Sequence, residues 1–108
     1  MLNFQLAQDY VFHDRDPFAQ PLFVDKTGRI LRFMLKPGQS VVEHTAPHSP
    51  VYIVVIEGTG LFSGTDGKAQ PFGPGMLLVF EPGEPHAIHA QDEPLVFVAF
   101  LHGAPGAQ

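Results

Sequence analysis

Histidines supply the side chains best suited to chemistry in this chain. His44 and His48 stand four residues apart in the segment Gly38–His48, which runs into the apolar run Val51–Ile56 and stops at Glu57-Gly58. A third, His86, follows the turn-forming stretch Glu81-Pro82-Gly83-Glu84-Pro85. There is no cysteine, which excludes disulfides, thiolate metal sites and cysteine nucleophiles. The ligand chemistry left is imidazole and carboxylate, and the three histidines are expected to meet inside a small β-barrel.

The other polar candidates rank below these. Strict alternation puts Val42 and His44 on one face and Glu43 on the other. If the chain stays extended, Ala46 and His48 continue on the face of His44. His89 has the opposite parity to His86, so it is expected to point outward or into a second sheet. His13 and His102 read as solvated or interface residues. Glu57, Glu81 and Glu84 fall in turns, and Glu81 is the best carboxylate if its turn folds inward. Arg29 and Arg32 either orient an anionic substrate or decorate the surface. Phe33, Met34, Tyr52, Phe80, Phe97 and Phe100 read as barrel core.

The elements that must position these residues are strands. Eleven glycines and eleven prolines break the chain into segments too short for ordinary helices, with runs rich in Val, Ile and Phe between them. The expected class is all-β. A chain of 108 residues forms one domain, enough to bury roughly 65% of its unfolded surface. Strands are expected at 21–24, 29–35, 41–45, 51–56, 61–63, 68–72, 76–80, 86–90 and 95–102, with 51–56 and 76–80 buried. Residues 1–20 form an arm or edge strand suited to pairing with a second subunit, residues 21–102 the barrel, and residues 103–108 a flexible tail.

Charge and hydropathy narrow the partners. Six Lys and Arg stand against 11 Asp and Glu, a formal charge of -5, which argues against nucleic acid and anionic membranes. The N-terminus lacks the pattern of a signal peptide. The longest apolar run, Leu95–Leu101, is about a third of a membrane span. A soluble, cytoplasmic protein is the expectation.

These residues resemble the cupins, jelly-roll barrels that close a double sheet over a core, also described as a double-stranded β-helix. The resemblance covers residues 28–102. Gly38 followed by His44, and Val55-Ile56-Glu57-Gly58, match the two ends of the first cupin motif. Gly75, Gly83 and His86 fall at the spacing of the second, with Glu81 at its first proline. The departures fall on the family's metal ligands. Ala46 stands at the second histidine, Val51 at the glutamate and Ala90 at the asparagine.

The resemblance implies a divalent transition metal, Zn, Fe, Ni, Mn or Cu, held by His44, His86 and His48, the last replacing the lost histidine from one step further along. Such a three-histidine set suits a site that keeps a position open for water or substrate. The lost glutamate weakens a two-histidine, one-carboxylate iron centre. Function then divides between a metal-dependent, dioxygenase-like or other enzyme on a small molecule and a metal-free barrel that binds a small molecule without catalysis. A homodimer is expected from the habit of small cupins.

Overall fold

A computed structural model describes residues 1–44 and 48–102, with Glu43 and His44 described by backbone alone. The expectations for Ala46 and for the tail 103–108 lie outside the described residues. Nine strands follow in order: β1 (Phe18–Val24), β2 (Gly28–Leu35), β3 (Ser40–His44), β4 (Val51–Glu57), β5 (Gly60–Ser63), β6 (Gln70–Phe72), β7 (Leu77–Phe80), β8 (His86–Ala90) and β9 (Leu95–His102). No helix occurs among the described residues. The strands form a five-stranded sheet, β1-β2-β9-β4-β7, facing a four-stranded sheet, β3-β8-β5-β6. All pairings are antiparallel.

Period-two patterning decides what is buried. Along β2, Leu31, Phe33 and Leu35 turn towards the facing sheet, while β9 sends Leu95, Phe97 and Ala99 inward beside them. The core is completed by Val51, Ile53 and Val55 of β4, Phe62 of β5, Phe80 of β7, and Ile88 and Ala90 of β8. Phe97 stacks on Phe33 of its own sheet at 4.9 Å between ring centroids and meets Phe62 of the other sheet edge-on at 6.0 Å. Offset and edge-on aromatic pairs of this kind add to the burial of the rings themselves.

Tight turns carry the chain between sheets. Gly58 adopts φ 80° where a side chain would collide with the carbonyl of Pro94, so only glycine lets β4 end here. Gly83, also at φ 80°, closes the turn before β8.

Four expectations need correction. β1 begins at Phe18 and β6 is limited to Gln70–Phe72. The run 76–80 is not a buried strand, because Leu77 and Val79 are exposed on the outer face of an edge strand that nothing in the described chain covers, and Met76 is exposed just ahead of it. Phe100 is exposed although β9 is the central strand, because its parity is opposite to that of Phe97 and Ala99 and it lies on the outer face.

The N-terminal segment lies across the outer face of its own five-stranded sheet. Arg32, 4% exposed, points out of the sheet into that segment. Its guanidinium donates to the carbonyl oxygens of Leu6 at 3.1 Å, Gln8 at 2.8 Å and Asp9 at 3.2 Å, and its Nε to Gln20 at 3.0 Å. The Tyr10 hydroxyl donates to Glu57 at 3.0 Å, pinning the same segment to the end of β4. Arg32 therefore neither orients a substrate nor decorates the surface. It is a strap, whose charge is neutralised by carbonyl dipoles in place of a carboxylate.

Arg32→Ala should cost about 2 kcal/mol of stability, because hydrogen bonds to a charged group are among the stronger ones. Limited proteolysis should then cut ahead of Phe18 under conditions that leave the unaltered protein intact.

Candidate functional site

The site is built where β3 and β8 pair at one end of the interior. Ser40 pairs with His89 and Val41 with Ile88, but the next pairing is His44 with His86, so β3 carries one extra residue between. Such a bulge interrupts alternation. Val41 lines the interior, Val42 is 77% exposed, and position 44 comes into register with the inward-facing His86. The strict alternation on which the expectation for Val42 and His44 rested is interrupted here.

His86 is 3% exposed, and the turn before it fixes its ring. Nδ1 lies 3.2 Å from the carbonyl oxygen of Glu84. A carbonyl can only accept, so Nδ1 carries the proton and, in the neutral ring, Nε2 carries the lone pair. The ring also stacks on Phe80 at 4.8 Å.

The turn is held in turn by the Glu84 side chain. Its two oxygens accept the backbone N–H groups of Glu81 at 3.0 Å and Thr65 at 3.1 Å, tying the β7–β8 turn to the loop after β5. These bonds favour the charged form. The Glu81 N–H, then the Thr65 N–H, hold the Glu84 carboxyl below its ordinary pKa.

Between the sheets His86 faces a cavity of about 230 Å³, lined also by Arg29, Leu31, Phe33, Val41, Val51, Ile53, Ile88, Phe97, Ala99 and Leu101. Arg29 and His86 are the two polar side chains among these. Val51, at the position where the cupin motif has its glutamate, is 4% exposed and presents an apolar wall. A larger groove of about 390 Å³ runs past Thr65, Lys68 and Glu84, but it holds no histidine.

The other sequence candidates are dispersed. His48 is exposed in a turn beyond β3 and does not line the cavity. His89 is exposed, as its parity requires, with Nδ1 2.5 Å from the Ser40 hydroxyl. His13 stacks on Phe18, and His102 meets Tyr52 edge-on. Glu81 is exposed and does not fold inward. Among the described residues no three His, Asp or Glu side chains come together to hold a metal. Sequence reasoning placed Phe80 in the core, where it lies, but passed over its stacking on His86 and the positioning role of Glu84. The one signal for the latter was its place two residues before His86 in a Pro-Gly turn.

Comparison with known proteins follows the same fold. The family model for the cupin domain matches residues 31–101. An RmlC-like cupin protein from Desulfovibrio desulfuricans is 27% identical, with a TM-score of 0.82 over 93% of this chain and 95% of that one. An uncharacterised conserved protein with a double-stranded β-helix domain from Klebsiella pneumoniae superposes with a TM-score of 0.86 at 19% identity, over 95% of this chain and 90% of that one. A predicted oxalate decarboxylase from Thermotoga maritima is 28% identical, with a TM-score of 0.67 over 72% of this chain and 68% of that one. Curated proteins gave no match.

The lowered pKa of Glu84 sets a sign for its effect on stability. A carboxylate depressed in the folded state stabilises above its unfolded pKa of about 4.3, and that stabilisation is lost as pH falls through the lower folded value. Glu84→Ala should therefore cost about 1 kcal/mol at pH 7. The difference in Tm between the two proteins should shrink as pH falls below about 4.

Proposed function

The chain belongs to the cupin family, and from that premise we propose that it binds a small organic molecule in the cavity between its sheets, with His86 as the group that orients the ligand. The observation that carries this reading is a partly open, mostly apolar space between the sheets served by a buried imidazole whose tautomer the Glu84 carbonyl sets. Ligand sites of this kind are apolar walls with a few placed polar groups. The cavity is smaller than the roughly 300–1,000 Å³ of drug-sized pockets, which points to a compact ligand.

The residues present do not fit a three-ligand metal centre. Val51 stands at the carboxylate position, and His48 is exposed away from the cavity. A second reading has specific support in the register of His44 with His86. It is a two-imidazole site for Zn, Fe, Ni, Mn or Cu, in which the tether of the His86 Nδ1 to the Glu84 carbonyl is the arrangement that orients a metal-binding imidazole. His48 would join it only if its turn rearranged.

Benzamide and benzyl alcohol, as compact neutral probes, should raise the Tm of the protein, since a ligand that binds only the folded state stabilises it. Ala99→Leu, which fills the cavity, should abolish that rise; an unchanged rise would place the probes elsewhere. Untagged protein incubated with Zn, Ni, Mn or Fe and then desalted should hold far less than one metal per chain. Stoichiometric metal, lost in both His44→Ala and His86→Ala, would establish the second reading instead.

A further inference from the structure

Arg29 is the second polar group of the cavity, and its environment is incomplete. It lies on the inward face of β2 with Leu31 and Phe33, the opposite face from Arg32. Its Nε is sealed from solvent and makes no hydrogen bond among the described residues. Among the described residues no carboxylate lines the cavity. The ion pair found among the described residues is Lys36 with Asp14, neither of which lines it.

A guanidinium stays charged at any pH the protein meets, so it cannot relieve its burial by losing a proton. A buried N–H without an acceptor is costly, and folded proteins rarely leave one. Arg32, three residues along, shows how this chain neutralises a buried guanidinium when no ligand is intended, with three carbonyls and a glutamine. Arg29 has no such set. Its half-buried side chain lines the cavity instead.

We infer that Arg29 is the anchor for the carboxylate of a small monocarboxylic acid whose apolar body fills the remainder of the cavity. The inference rests on the reading of the cavity as a ligand site. A carboxylate matches the guanidinium edge with two parallel hydrogen bonds. A single cation suits a single negative charge, since the described residues offer no second arginine or lysine in the cavity for a phosphate dianion. The other lining residues, His86 apart, are aliphatic or aromatic, which selects a hydrocarbon or aryl body over a sugar. The chain's net charge of -5 gives anions no general attraction, so selection for one must come from the site.

The test is calorimetric titration of the full chain with benzoate and pentanoate, each paired with its neutral amide, benzamide and pentanamide. Both acids should bind at least about tenfold more tightly than their amides, because the charge-assisted pair is lost in the amide. Arg29→Met, which keeps the bulk and removes the charge, should lose that preference while still binding the amides. Arg29→Lys should recover part of it, which separates loss of the anchor from loss of the fold. Amides that bind as tightly as the acids, or an acid preference that persists in Arg29→Met, would overturn the inference and leave the cavity reading standing. Failure of all four compounds to bind would overturn both.

Discussion

Phe97 is the contact on which the two sheets depend. It rises from the middle of β9, stacks on Phe33 within its own sheet and touches Phe62 across the interior. On one side of it, Leu35, Val55, Phe62, Ala90 and Leu95 belong to the filled core and none of them lines the cavity. On the other, Val41, Val51 and Ala99 are too small to meet across the gap, and the interior hollows out. Protein interiors pack at near-crystalline density. A hollow of this size therefore reflects residue sizes at a few positions, and Phe97 walls it off from the packed end.

The polar residues obey a related division. Arg29 and Arg32 are three apart on one strand and so face opposite ways, one into the cavity and one into the N-terminal segment. The outward one is fully met by carbonyl oxygens, which holds the segment over the sheet. His86 is positioned by a chain of short-range contacts: Gly83 permits the turn, Glu84 ties it to Thr65, and the Glu84 carbonyl orients the ring. Each link is local, so the imidazole's orientation is set before any ligand arrives.

Much of the fold was legible. The spacing of glycine and proline located the turns, and apolar runs between them located nine strands with small errors at their ends. Burial was less legible for β7, because an apolar run on an edge strand looks the same as one in the middle of a sheet, and for Phe100, because an unbroken apolar run does not say how much of each face is covered. Of the candidate site, His86 was legible from its Pro-Gly turn and is buried on the cavity wall. His48 was not, since its candidacy assumed extended backbone where the chain turns. The role of Arg29 could not be separated from that of Arg32 by composition, although parity distinguished their faces.

By itself the sequence determined the strand class, the turn positions, the absence of thiolate chemistry and the cupin motifs with their missing ligands. These follow from local rules: steric limits at glycine and proline, and the two-residue period of a strand. The tertiary structure alone decided that β3 carries an extra residue, bringing position 44 into register with His86. It also decided that the N-terminal segment folds back onto its own sheet, and that one arginine is satisfied while its neighbour on the strand is not. Those outcomes depend on which strands pair and what lies across from each side chain. Pairing between residues 40 or more positions apart leaves no periodic trace in either strand.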